Sequence, residues 1–256
     1  MPNEIRIPSP SFAPLRSRLK GSVMDDPFTR GRHATDASIY QMMPHAVVVP
    51  ETLGDVEATL DFAREQGIAV LPRGGGTSQC GQTVNRAVVI DASKHLNRIL
   101  ELDVEGRRCL VEPGIVLDEL NRQLKPHGLW FPVDVSTSSR ATIGGMAGNN
   151  SCGGRSIRYG MMRDNVTAID AILSDGSTAR FGDVVSTSPS GLLKELQPRL
   201  LAMGETHCAD ILDGFPKVLR RVGGYNVDAL IPDAMAMRPG GAAGDGVNLS
   251  LSLIHI

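Results

Sequence analysis

Two glycine-rich loops, set in an alternating pattern of apolar strands and amphipathic helices, constrain this chain more than any other feature. The first, Pro72-Arg73-Gly74-Gly75-Gly76-Thr77-Ser78-Gln79-Cys80-Gly81-Gln82, leaves one apolar run and returns to another. Three consecutive glycines remove every Cβ, so the backbone can take positive φ and turn its N–H groups inward as an anion-holding nest. Thr77 and Ser78 add hydroxyl donors. Taken alone, this loop also fits a plain glycine-rich turn. It has neither the G-x-x-x-x-G-K spacing of a P-loop nor the G-x-G-x-x-G spacing of a dinucleotide fingerprint. The second loop runs through Pro132-Val133-Asp134, Ser136-Thr137-Ser138-Ser139-Arg140-Ala141-Thr142-Ile143-Gly144-Gly145-Met146-Ala147-Gly148-Asn149-Asn150-Ser151-Cys152-Gly153-Gly154 and on to Gly160. It is too long and too rich in small polar residues for a mere connection. Ordered irregular backbone of that length needs partners for its N–H groups, and a bound diphosphate supplies them.

The elements around the loops form β–α–β units. Ala46 to Val49 reads as a buried strand; a helix follows, with Thr52 and Asp55 as a capping box and Gly67 as its stop. Leu53, Val56, Leu60 and Ala63 fall on one face of that helix. Strands are expected at 68–71, 87–91 and 107–111, the last closed by Glu112-Pro113-Gly114. Leu117, Leu120 and Leu124 line a short helix stopped by Pro126 and Gly128, and apolar residues 129–133 lead into the second loop. Residues 166–173 and 178–181 pair as a hairpin around Asp175-Gly176. A helix over 191–203 should be kinked or split at Pro198. Residues 1–40 read as a proline-bearing irregular arm, 41–105 as a first subdomain and 106–250 as a second. Residues 251–256 read as a non-native tail, with a short terminal strand as the alternative.

Composition excludes several classes. A net charge of −2 without any clustered basic stripe argues against a nucleic-acid partner. No apolar stretch is long enough to span a bilayer, and the first twenty residues lack a signal peptide's apolar segment. Cys80, Cys109, Cys152 and Cys208 lie far apart, which suggests neither a metal site nor a disulfide framework and points to a reducing cytoplasm. The six histidines show no ligand spacing. Met42-Met43 and Met161-Met162 read as packing. Cys80 and Cys152 read as small residues filling tight turns, with a redox role or covalent attachment of a cofactor as the alternative. Trp130 anchors the strand entering the second loop, and Arg73, Arg155 and Arg158 suit either a phosphate or a structural salt bridge.

The two loops in this order, with Thr35-Asp36-Ala37-Ser38-Ile39-Tyr40, Ala141-Thr142-Ile143-Gly144-Gly145-Met146 and Tyr159-Gly160, resemble the FAD-binding domain of the vanillyl-alcohol-oxidase and p-cresol-methylhydroxylase (PCMH) type. Within that superfamily the pattern is most similar to FAD-linked D-lactate and D-2-hydroxy-acid dehydrogenases. The stretch from Phe215 to Leu230 resembles long members fused to an iron–sulfur domain. The resemblance implies an α+β fold of two subdomains with FAD held non-covalently, since covalent relatives carry a histidine where this chain has Gly76-Thr77.

It assigns the cofactor to Pro72, Arg73, Gly74, Gly75, Gly76, Thr77, Ser78, Gly81 and Gln82 of the first loop. From the second it takes Asp134, Thr137, Ser138, Thr142, Gly144, Gly145, Asn149, Gly153, Gly154, Tyr159 and Gly160. It implies a small hydroxy-acid substrate, an iron–sulfur or respiratory electron acceptor, and a cytoplasmic protein, soluble or peripheral at the inner membrane face. The family's next FAD-contacting run and its substrate-binding cap have no counterpart here. The chain therefore reads as a truncated amino-terminal part, inactive alone and without assignable catalytic residues or metal ligands. Two rival readings are a non-catalytic flavin-binding or electron-transfer subunit, and a nicotinamide-driven reductase of the cell-wall enolpyruvyl type. The Phe215–Leu230 stretch argues against the second rival. Fold alone does not fix the substrate.

Overall fold

The computed structural model describes residues 10–182, 189–218, 225–231 and 247. The expectation for 251–256, and residues 219–224 of the Phe215–Leu230 stretch, lie outside the described residues. Contacts divide the chain into two units. One runs to Glu101 and takes in Cys109–Ile115; the other comprises Leu102–Arg108 and the chain from Val116 onward.

The first unit opens with α1 (Ala13–Arg16), β1 (Ser22–Met24) and α2 (Pro27–Arg32). Residues 10–40 are therefore not irregular. Pro14 and Pro27 fall in the first turns of helices, where a missing N–H costs nothing. The sheet is completed by β2 (Ala46–Val49), β3 (Val70–Arg73) and β4 (Val88–Asp91), in the order β1-β2-β4-β3. β2 and β3 run parallel to β4, and β1 is antiparallel to β2. Both sheet faces are covered. Ala46, Val48 and Val88 pack with Phe12, Leu15, Val23 and Phe62, whereas Val47, Val49 and Val89 cluster with Met24 and Leu71. That two-sided burial is why β2 reads as an unbroken apolar run.

α3 (Leu53–Gln66) carries the expected capping box, and Gly67 ends it at φ 64°. Ile68 is still bonded back to the Ala63 carbonyl, so β3 begins at Val70 rather than at residue 68. The buried stripe of α3 is also not the expected one. Asp55, Thr59, Phe62 and Ala63 face inward, and Leu53 stands 59% exposed. Asp55 explains the rotation. Its carboxylate accepts the N–H groups of Lys20 (2.9 Å), Gly21 (3.0 Å), Glu51 (2.8 Å) and Thr52 (3.2 Å). Burial works against its charge, but these four N–H groups prevail and hold its pKa below the ordinary value.

β5 (Ile99–Asp103) and β6 (Arg108–Val111) form a two-stranded sheet around a turn at 104–107. β5 escapes a reading based on apolar runs, because Glu101 and Asp103 interrupt it. After β6, the buried carboxylate of Glu112 accepts the main-chain N–H and the guanidinium of Arg98.

The second unit begins with α4 (Leu117–Leu124), whose Leu117, Leu120 and Leu124 are buried as expected; a 3₁₀ turn and Gly128 at φ 68° stop it. Residues 129–135 form no strand. The long loop beyond them winds into α5 (Ile143–Gly148), α6 (Ser156–Tyr159) and α7 (Met162–Asn165). The hairpin of β7 (Ile169–Ile172) and β8 (Thr178–Phe181) turns at Gly176, φ 85°. α8 (Leu193–Thr206) runs unbroken through Pro198, and α9 (Cys208–Gly214) follows. Pro198 is tolerated only six residues into the helix, after a first turn already wound tightly by Lys194 N–H to the Gly191 carbonyl and Glu195 N–H to that of Leu192. Ala179, Phe181, Leu193, Leu230 and Val247 form the apolar core here.

Candidate functional site

The first loop begins where β3 ends. β3 is an edge strand, so Pro72 removes no ladder bond that a central strand would need. From Gly74 to Gln79 the backbone is irregular, and among the described residues none of these six N–H groups donates to a protein acceptor. Gly76 lies at φ 63° and Gly81 at φ 77°. A Cβ on Gly76 would come within 2.5 Å of the Arg73 guanidinium, and one on Gly81 within 2.6 Å of the Tyr40 ring. Glycine is thus required at both positions by conformation and by space. Ser78 Oγ accepts the Cys80 N–H at 3.3 Å and meets the Gln82 side chain, which closes the far limb of the loop.

Arg73 forms no salt bridge among the described residues. Its guanidinium donates to the carbonyls of Thr83 (2.9 Å), His33 (3.2 Å) and Thr35 (2.8 Å). It therefore ties the loop's exit and the 33–35 segment to the end of β3. Burial lowers its pKa, and the nearby charges of Asp91 and Asp36 oppose that. Asp36 accepts from Ser38 N–H (2.8 Å) and Thr83 Oγ1 (3.0 Å), and Asp91 from Ser93 (N–H 3.0 Å, Oγ 2.6 Å). His33 faces Asp91 at 3.4 Å through Nε2 and the Thr29 carbonyl at 2.9 Å through Nδ1. Burial opposes both carboxylate charges, yet these hydrogen bonds keep both pKa values below the ordinary value. The histidine and Asp91 carry no motif and were not legible. Asp36 and Ser38 entered only within the stretch that carries the family resemblance; their two-residue spacing, by which an Asp bonds the N–H two positions on, is the signal that could have found this contact.

The second loop satisfies most of its own backbone. Thr142 Oγ1 accepts the Gly145 N–H at 3.3 Å and caps α5, while Ile143 and Met146 are buried on one side of it. The run of small residues conceals this helix in the sequence. Gly144 and Gly145 lie in its first turn, and Asn149, at its end, donates through Nδ2 to the Gly145 carbonyl at 2.9 Å. Thr137 and Ser138 form a turn whose carbonyls accept from Ala141 (2.8 Å) and Asp118 (3.2 Å). Asp134 accepts the Arg155 N–H at 3.0 Å, and its carbonyl lies 2.0 Å from where a Cβ on Gly153 would stand. Gly153 donates to Ser156 Oγ at 3.0 Å, Gly154 follows at the start of α6, and Gly160 leaves that helix at φ 78°.

A diphosphate is therefore not needed to satisfy most of this backbone, because short helices and side chains do so. Arg155 and Arg158 are not in salt bridges among the described residues. Their guanidinia lie 5.1 Å over the Trp130 ring and 5.4 Å over the Tyr159 ring. Trp130 and Tyr159 meet edge to face at 5.2 Å, so Trp130 anchors α6 rather than a strand.

A sequence profile described as an FAD binding domain matches residues 44–182, which include both loops. The chain belongs to the FAD-binding domain family. FAD is the cofactor of this domain, and the mixed helix and sheet fold agrees with the PCMH type that the sequence resembles. D-2-hydroxyglutarate dehydrogenase of Pantoea ananatis is 38% identical over 211 residues, covering 79% of this chain and 21% of that protein. The Escherichia coli protein of the same name is 36% identical over 217 residues, covering 79% and 21%. Glycolate oxidase subunit GlcD of Bacillus subtilis is 34% identical over 153 residues, covering 59% and 33%. The chain thus spans about a fifth of the length of the D-2-hydroxyglutarate dehydrogenases it matches. Among solved structures, wild-type BBE-like 1 of Physcomitrella patens matches with a TM-score of 0.60 at 17% identity, covering 68% of this chain and 38% of that one. 6-Hydroxy-D-nicotine oxidase of Arthrobacter nicotinovorans matches with a TM-score of 0.59 at 20% identity and the same coverages, 68% and 38%. At such identities the structural likeness speaks for the fold alone.

The residues present fit an FAD-binding domain. The first loop offers six consecutive main-chain donors, Gly74 to Gln79, without protein acceptors among the described residues. No helix among the described residues is long and apolar enough to cross a membrane.

Proposed function

We propose that the protein is an FAD-linked dehydrogenase that oxidises a D-2-hydroxy acid, of the D-2-hydroxyglutarate or D-lactate class, to the 2-oxo acid. The observation that carries this reading is the similarity to D-2-hydroxyglutarate dehydrogenases across 79% of the chain, both loops included. When bound, FAD supplies the hydride acceptor. The chain's part is to hold and orient it. Gly74 to Gln79 present their N–H groups to the diphosphate, with the Thr77 and Ser78 hydroxyls beside them. Arg73 stays behind the loop and sets its shape through three carbonyls. On the second loop, Thr142, Gly144, Gly145 and Asn149 present the start and end of α5, and Asp134, Thr137 and Ser138 the turns before it. Attachment is non-covalent, because no histidine follows the first loop's glycines. Electrons leave to an iron–sulfur or respiratory acceptor.

The test begins with the purified protein, mixed with FAD and freed of excess. It should keep flavin bands near ~370 and ~450 nm and release them on acid precipitation. Carried on to the length of those relatives, the protein should then lose the ~450 nm band with D-2-hydroxyglutarate or D-lactate in the absence of oxygen, and keep it with the L-enantiomers. Bands that no D-2-hydroxy acid bleaches would remove the substrate reading and leave the flavin. A colourless protein at that full length would end both.

A further inference from the structure

Arg163 lies outside every residue assigned to the cofactor, yet it is only 2% exposed and fully engaged on two sides. Its Nη1 donates to Asn226 Oδ1 at 2.7 Å and its Nη2 to Asp228 Oδ2 at 3.2 Å. Its main-chain N–H donates to Asn150 Oδ1 at 3.0 Å. Asn150 is 0% exposed, follows α5 almost at once, and stands at φ 44°. Asparagine is one of the few non-glycine residues that take this left-handed conformation readily, as here just past a helix end. The Met162 N–H adds a bond of 3.1 Å to the carbonyl of Ser151. The start of α7 therefore grips the backbone at 150–151, where the second loop turns away from α5. The Arg163 side chain meanwhile anchors α7 to the 225–231 segment.

A buried ion pair is weak evidence for stability, because desolvation offsets the attraction, and an apolar core of Ala179, Phe181, Leu193, Leu230 and Val247 already supports this unit. What the pair supplies that apolar packing does not is direction. The planar guanidinium fixes α7 in one orientation, and α7 fixes Asn150.

We propose that Arg163 is a positioning residue for FAD binding: through Asn150 it holds α5 and the Asn149–Ser151 turn in the arrangement the cofactor meets. This rests on the reading that the second loop contacts FAD. Two variants of this chain test it. Arg163→Met removes the guanidinium and leaves the Asp228 carboxylate with one partner fewer, so it confounds folding with positioning. Arg163→Met with Asp228→Asn removes both charges and should recover most of the lost melting temperature.

Two readouts apply to both variants. The first is hydrogen exchange of amides 143–153 in the FAD-free protein, with amides 88–91 of β4 as the internal control. The second is the dissociation constant of FAD, together with the visible circular dichroism of the bound flavin. The double variant should melt near the wild type but exchange 143–153 at least tenfold faster, with 88–91 unchanged. It should bind FAD at least tenfold more weakly, with an altered flavin dichroism. Wild-type exchange at 143–153, or wild-type affinity and dichroism, in that variant would overturn the proposal. If the wild type itself held no FAD, the cofactor role would fall with the reading it rests on. The exchange result would then still decide whether Arg163 holds the loop.

Discussion

The two loops have similar compositions and reach order by opposite routes. The first keeps its donors unspent. Gly74 to Gln79 bond to no protein acceptor among the described residues, and the loop's shape is imposed from beneath by Arg73 and the carboxylates of Asp36 and Asp91. The second spends its donors on itself, winding into short helices capped by Thr142 and tied by Asp134 and Asn150. Glycine richness therefore reports two different things. In one loop it allows the positive φ of Gly76 and Gly81 and a close approach to Arg73 and Tyr40. In the other it lets short helices and tight turns follow one another without side-chain clashes. The first loop leaves its donors open on a tied base, and the second is a framework in its own right.

The most severe break of that contrast is Gly76→Val. It forces a β-branched residue to φ 63° and drives its Cβ into the Arg73 guanidinium. The cost should be roughly 3 kcal/mol, about a hundredfold in FAD affinity measured by equilibrium dialysis. Wild-type affinity in this variant would show that the first loop is not the receptor. Arg73→Met removes a charged donor from three carbonyls. FAD should bind roughly 30-fold more weakly, about 2 kcal/mol, although no phosphate contact is lost. If Arg73 instead touched the cofactor, Arg73→Lys would largely rescue binding; as a staple to three carbonyls, lysine should not.

Acid sharpens the comparison by another means. Asp36 and Asp91 have depressed folded pKa values. Their stabilisation is complete above the ordinary carboxylate value of about 4, and is lost as pH falls through the lower folded values. The Ser38 and Ser93 amides, which bond these carboxylates, should accordingly lose exchange protection below about pH 4, once the intrinsic pH dependence of exchange is removed. Thr142→Ala deletes the cap of α5 and should cost about 1 kcal/mol, seen as faster local exchange at 143–148. The smallest effect has the opposite sign. Gly148→Ala meets nothing within 4 Å and should stabilise the second unit by about 0.5 kcal/mol in a urea melt.

What the sequence disclosed follows the range of the interactions involved. The capping box of α3, the Gly67 stop, the Leu117–Leu120–Leu124 stripe and the Asp175-Gly176 turn are local signals between residues a few positions apart, and all are found. The first loop was legible for the same reason, since its glycines adjoin the strand that ends in it. Long-range polar contacts were not. Asp55 binding Lys20 and Gly21, Arg73 binding His33 and Thr35, and Arg163 binding Asn226 each join segments that only the fold brings together. Asp55 shows the cost most plainly. An apolar-periodicity argument put Leu53 inside, but four N–H groups converging on a carboxylate set the rotation of the helix instead. α5 was hidden because Ala and Gly carry little pattern, and its two buried anchors, Ile143 and Met146, are too few to show a period.

The pairing of β1 with β2 bears on where this protein can be divided. Composition suggests a boundary near residue 40, and a fragment begun there would lack Ser22–Met24 and the Lys20 and Gly21 amides that neutralise Asp55. β2, four buried aliphatic residues long, would then become an open edge ready to pair with the same strand of another molecule. Such a fragment should assemble into insoluble multimers even with every cofactor-loop residue intact. Tags, fusions or proteolytic cuts at the amino-terminal end therefore have to fall ahead of the strap formed by residues 12–24.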